Sequence, residues 1–185
     1  MSSISEFRAK VVAGGFSKTA RYRVVINSNQ AGIVANLTGS NLSKLQYMCE
    51  QAELPGRTLN AADVHYYGAG FKSPSGTLYN PSSFTFLVSE NMDERIFFDS
   101  WLDYINGAND GSGYDMKFRS NYGTTIDVFQ LGETETINDP GRLQFTLIDA
   151  WPLAINPMPI SYADENFHRI QIDFVYTDYS FKRPG

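Results

Sequence analysis

Phe167-His168-Arg169-Ile170-Gln171-Ile172-Asp173-Phe174-Val175-Tyr176-Thr177-Asp178-Tyr179 is the longest alternation in the chain, and its reading decides the fold. Ile170, Ile172, Phe174 and Tyr176 fall on one side, Gln171, Asp173 and Thr177 on the other, and only Val175 disturbs the pattern. A period of two over this length marks a strand with one buried and one wet face. Shorter runs of the same kind lie upstream. Arg21–Ile26, Thr125–Leu131 and Leu143–Asp149 read as strands, as does the segment in which Phe84, Phe86 and Val88 alternate with Thr85, Leu87 and Ser89. Lys44–Leu54 alternates too, with Leu45, Tyr47 and Cys49 on one face, until Pro55-Gly56 turns the chain. Val64–Tyr67 is a short candidate, and Pro152, Pro157 and Pro159 exclude a central strand between Trp151 and Ile160.

One segment reads clearly as helix, over residues 92–106. Phe97, Trp101 and Ile105 stand four apart with Phe98 and Leu102 beside them, which makes one apolar stripe. Asn91 is placed to cap it, Glu94 to return the capping bond, and Gly107 to end it. The first ten residues can form a short helix, broken by Gly14-Gly15, so residues 1–20 read as an N-terminal arm. Residues 27–43 and 106–113 read as polar loops, and residues 68–81 as an extended loop or long hairpin arm. Many strands and one good helix, with no internal repeat, predict a mainly β single domain over 1–185: a sandwich or barrel with a helix packed on it.

The composition suits such a domain. The 185 residues are 42% hydrophobic and 14% aromatic, enough for an ordinary core. The single cysteine, Cys49, rules out an intrachain disulfide and suits a reducing cytoplasm. Met1–Lys10 lacks the apolar run of a signal peptide, and no window approaches the ~20 apolar residues of a membrane span. A net charge of −5 argues against a domain that grips nucleic acid.

The constellations of catalysis are missing. His65 and His168 are far apart, Cys49 has no second cysteine to share a metal with, and neither a Gly-x-Ser-x-Gly nor a phosphate-loop motif occurs. Asn109, Asp110 and Asp115 lack the spacing and closing glutamate of a calcium loop. No catalytic residue, metal or cofactor is expected. Phe84, Phe86, Phe97, Trp101, Phe145 and Phe174 sit on apolar sides of periodic segments and read as core. Tyr66, Tyr67, Tyr79, Tyr114, Tyr122, Tyr162 and Tyr179 are freer, and suit an interface or a ligand.

An ordered series of motifs resembles the tail tube proteins of contractile-tailed, T4-like bacteriophages. Ala52-Glu53-Leu54-Pro55-Gly56 matches the family's A-x-L-P-G turn. Phe84–Ser89 followed by Phe98-Asp99-Ser100-Trp101 matches its strand and F-x-x-W helix. Ala150-Trp151-Pro152 and the closing strand Ile170–Phe181 follow in order. The longer 27–43 loop and the 68–81 segment depart from the pattern.

The resemblance implies two packed antiparallel sheets forming a barrel-like sandwich, flanked by the helix. It implies hexameric rings that stack into a hollow conduit for DNA ejection, with tail sheath, baseplate and tail-terminator proteins as partners. The chain would be made in the host cytoplasm and reside in the virion tail. DNA would pass through the lumen without specific binding, which favours an acidic wall. Alternation offers Asp127, Asp149, Asp173 and Asp178 as lumen-facing candidates, although solvated outer faces explain them equally well. The candidate ring-stacking loop contains Gly68, Gly70, Phe71, Lys72 and Tyr79. A baseplate tube-initiator or adaptor ring of the same fold is the near alternative. A monomeric carbohydrate-binding β-sandwich is the alternative of another class, and a hydrolase comes last.

Overall fold

The computed structural model describes residues 4, 17–27, 42–107, 115–133, 135, 136, 139–162 and 166–183. The expected N-terminal helix and most of the 27–43 and 106–113 loops lie outside them. The described residues form nine strands and three helices: β1 (Tyr22–Ile26), α1 (Leu42–Met48), β2 (Cys49–Ala52), β3 (Arg57–Val64), β4 (Phe71–Tyr79), β5 (Ser82–Leu87), α2 (Asp93–Asn106), α3 (Arg119–Tyr122), β6 (Thr124–Gln130), β7 (Leu143–Ile155), β8 (Arg169–Val175) and β9 (Asp178–Lys182). All strand pairs are antiparallel.

The decisive alternating segment is two strands, not one. β8 ends at Val175 and β9 starts at Asp178, and the two belong to different sheets. β7 divides in the same place. Gln144–Ile148 pairs with β9, while Trp151–Ile155 pairs with β8. The segment 143–182 is therefore one long hairpin, bent once. At the bend Asp149 takes the left-handed conformation (φ 53°), which aspartate tolerates better than most residues. The register against β6 slips there, as a bulge requires. Thr177 N donates to the Ile148 carbonyl at 3.0 Å, and its hydroxyl reaches Asp149 Oδ2 at 3.4 Å. The Arg119 guanidinium donates to both the Thr177 hydroxyl and the Asp149 carbonyl.

Each half of the bent hairpin is extended by two further strands. Sheet I has the order β1-β6-β7-β9, and sheet II the order β2-β5-β8-β7, so β7 serves both. The barrel is not closed. β1 and β2 approach each other without a ladder, joined by the Tyr22 hydroxyl donating to the Cys49 carbonyl at 3.0 Å. Val24, Ile26, Ile126, Val128 and Leu147 of sheet I form one core with Phe84, Phe86, Ile170, Ile172 and Phe174 of sheet II. The helix stripe fills the rest. Phe98 lies 5.3 Å from the Phe86 ring and 6.1 Å from Phe174, and Trp101, fully buried, donates its indole N–H to the Tyr122 carbonyl at 3.2 Å.

Several sequence expectations shift. Residues 42–48 are helix, not strand: a short period-two pattern also fits one helical turn. Leu42, Lys44, Leu45, Gln46 and Met48 are good helix formers, and among residues 44–48 Leu45 is the one buried. Tyr47 is consequently exposed instead of sharing a face with Leu45. The strand expected at 64–67 lies earlier, at Arg57–Val64. β7 continues through Pro152 to Ile155, because that half of β7 has a ladder partner only in β8 and the missing N–H is needed by no other strand. The helix begins at Asp93 after a left-handed Met92 with no side-chain cap, and Glu94 reaches back to Ser89 instead of Asn91. Glu94 accepts from the Ser89 N–H at 2.8 Å and its hydroxyl at 2.7 Å, and meets Lys44 of α1 at 3.3 Å. Gly107 ends the helix as expected, at φ 68°.

Burial works to raise the Glu94 pKa, but the Ser89 bonds, the residue's own backbone N–H and Lys44 outweigh it and hold the carboxyl below its usual value. A lowered folded-state pKa adds stability above the unfolded value, and that stability is lost as pH falls through the folded value. Glu94→Gln should lower the denaturant midpoint at pH 7 by an amount equivalent to about 1–3 kcal/mol. The gap to the native chain should close as pH drops below the ordinary glutamate range. A gap that stays constant with pH would show that the charge of Glu94 does not contribute.

Candidate assembly interface

The chemistry of this chain lies on its surfaces. Among the described residues no group of three or more His, Cys, Asp or Glu could hold a metal. Cys49 is half-buried, and burial pushes its thiol up to about 12 despite bonds with Tyr22 and the Gln51 carbonyl. Such a thiol is a poor nucleophile.

Three surfaces stand out. The first is a pair of open edges. In sheet II neither the outer side of β2 nor that of Trp151–Ile155 has a ladder partner among the described residues. Exposed strand edges are ready to pair with another chain.

The second is the outer face of sheet II. Gln51, Thr85 and Gln171 are uncharged, and the Ser83 hydroxyl donates to Asp173 at 2.5 Å. Arg169, the only lysine or arginine on this face among the described residues, makes a two-pronged contact with Glu50 at 2.5 and 3.0 Å. The bond to Arg169 holds the Glu50 carboxyl below its usual pKa.

The third is a projecting arm built from β3 and β4. The turn at Pro55-Gly56 leads β2 into β3, and Asn80-Pro81 leads β4 back into β5, so the arm extends the β2–β5 ribbon beyond the end of sheet II. Eight paired positions at ~3.4 Å each make it roughly 27 Å long. Its base is anchored. Tyr79 packs against Tyr176 and Tyr179 at 6.0 and 5.8 Å, and the Tyr176 hydroxyl reaches the Gly56 carbonyl. Beyond the base nearly every residue is exposed, Leu59, Phe71 and Leu78 among them. Pro74 fits because the register slips beside it, with the Ser75 hydroxyl donating to the Asn60 carbonyl. At the tip Tyr66 and Tyr67 are bare. The His65 ring lies against Gly70, where an added Cβ would come within 2.1 Å of it.

The structure separates the residues singled out from sequence. Gly68, Gly70, Phe71 and Lys72 meet at the arm tip, with Lys72 3.8 Å from Asp63, whereas Tyr79 belongs to the base. The four aspartates do not share a face. Asp127 and Asp178 lie on the outer face of sheet I, Asp173 on that of sheet II, and Asp149 at the bend. The contribution of β3 escaped the sequence because a strand wet on both sides has no alternation to read.

Residues 17–182 match the family model described as phage tail tube protein. The chain belongs to that family. Among solved structures, a chain of the extracellular contractile injection system PVC, from its sheath–tube complex in the extended state, is similar over all of both chains. The TM-score is 0.61 and the identity 10%. A chain of the anti-feeding prophage baseplate is 12% identical, with TM-score 0.64, over 92% of this chain and 97% of its own. One from the anti-feeding prophage tube-terminating cap is 11% identical, with TM-score 0.62, over 91% and 92%. At these identities the likeness is one of fold. No curated protein matches. The tail tube chain is thus a structural component of a tail, and among its described residues no helix is long and apolar enough to cross a membrane.

On sheet I, Asp127 ties strands together. It accepts from Asn27 at 2.7 Å, Gln144 at 3.0 Å and the Thr146 hydroxyl at 2.5 Å. Asp127→Ala should destabilise the fold by about 1–2 kcal/mol, because three donors lose their acceptor at once. Asp127→Asn, which keeps an acceptor oxygen, should cost less. Urea unfolding of both variants checks the order, and equal midpoints for the alanine variant and the native chain would show that water replaces the network at no cost.

Proposed function

We propose that six copies of this tail tube chain close into a ring, and that rings stack head to tail into a hollow conduit through which DNA is ejected. The observation that carries the reading is the form of sheet II: open at both lateral edges, with an arm projecting along its strand direction. Lateral edges that pair between neighbours give a continuous wall with four strands from every copy, and a ring is the arrangement that leaves neither of these two edges exposed. The arm then points toward the next ring.

In this arrangement the outer face of sheet II lines the lumen. Among the described residues its one guanidinium is engaged by Glu50, so their part of the wall offers phosphate no unpaired lysine or arginine. Asp173 is the lumen candidate that lies on this face. Asp127 and Asp178 lie on sheet I, whose outer face also carries Arg23 and Lys182, and they fall on the outer side of the ring. That side would meet the tail sheath, while the two ends of the stack would meet baseplate and terminator proteins.

Negative-stain microscopy of the purified protein over a range of concentrations should show six-fold rings and hollow filaments. Replacing residues 57–79 by a short Gly-Ser turn should leave rings without filaments, with the circular dichroism of the body retained. A native chain that stays monomeric at every concentration would contradict the reading.

A further inference from the structure

The arm needs a receptor, and the strand directions locate one. β5 and β8 run antiparallel, with Ser82 opposite Phe174 and Leu87 opposite Arg169. The arm leaves sheet II at the Ser82–Phe174 end. The β7–β8 connection, residues 156–168, closes the sheet at the Leu87–Arg169 end. In a head-to-tail stack these are the two ends that meet.

The far end has the shape and chemistry to receive an aromatic tip. Met158, Ile160 and Phe167 line a groove of about 300 Å³ together with the polar Ser161, Asn166 and Arg169, room enough for a tyrosine side chain with its hydroxyl. Ile160, Tyr162 and Phe167 are almost wholly exposed, as are Tyr66 and Tyr67 on the arm. Each end thus leaves apolar surface in water, and tyrosine is among the residue types enriched where such contacts carry binding energy.

We infer that the arm tip, Tyr66 and Tyr67, seats in the groove lined by Met158, Ile160 and Phe167 of a second copy of this chain in the adjacent ring. The inference rests on the stacking reading above and names the receptor for it. The contact is heterologous: donor and receptor are different patches of the same chain, so it propagates along the axis instead of closing on itself. It also gives the stack a polarity, since arm cannot meet arm nor groove meet groove.

The test is a cysteine pair in assembled filaments, where Cys49 supplies little background because its thiol is half-buried. A chain carrying both Tyr67→Cys and Ile160→Cys, oxidised after assembly, should give a ladder of covalent multimers at steps of the 20.7 kDa chain. Either substitution alone should give no ladder beyond dimers. Filaments that form normally yet give no ladder from the double variant would overturn the groove assignment while leaving arm-mediated stacking intact. If the native chain forms no filaments at all, the stacking reading fails and this inference falls with it. As a second arm, Ile160→Asp should shift filaments toward single rings; filaments indifferent to it would also count against the groove.

Discussion

The whole architecture depends on one bend. At Asp149 and Tyr176–Thr177 a single hairpin turns from one sheet into the other, and both of its strands turn together. The left-handed Asp149, the register slip against β6 and the Arg119–Thr177 contact are parts of one corner. Because the hairpin contributes two strands to each sheet, the bend sets how the sheets face each other. It thereby sets the volume that Phe84, Phe86, Phe98, Trp101 and Phe174 must fill. Interiors pack nearly as tightly as organic crystals, so a change in the angle between the sheets would be felt throughout this aromatic cluster.

The same bend gives the two sheets different tasks. Sheet I is tied across its outer face by Asp127 and its donors. Sheet II keeps a polar face on which Arg169 is paired with Glu50, open edges, the arm at one end and the groove at the other. The proposed ring and stack need two kinds of contact, and on this fold the candidates for them are separated by direction: backbone edges at the sides of sheet II, exposed side chains at its strand ends. Tail tube membership fits this division, since a tube is what lateral closure combined with axial repetition produces.

Much of this was legible in the sequence, and the reasons for the failures are physical. The strands with one buried face, β5, β6 and β8, announced themselves by alternation, and α2 by its aromatic stripe. The corner did not. Residues 170–177 alternate up to it, and the break that follows, with Thr177 and Asp178 both outward before core-side Tyr179, is too short to read as a change of sheet. β3 was invisible for the opposite reason: exposed on both faces, it has no pattern. Pro152 hid the second half of β7, since a proline excludes only strands that need its N–H. Of the candidate lumen residues, alternation correctly separated outer-facing Asp127 and Asp173 from the core, but alternation cannot say which sheet an outer face belongs to. Only the pairing register does that.

The central claim is that sheet II continues from copy to copy around a ring. A cryo-EM reconstruction of the assembled tube tests it directly. The account predicts backbone pairing between β2 of one subunit and Trp151–Ile155 of its neighbour, with Asp173 and the Glu50–Arg169 pair facing the lumen. Rings in which the outer face of sheet I lines the channel, or in which the sheet II edges remain unpaired, would contradict it.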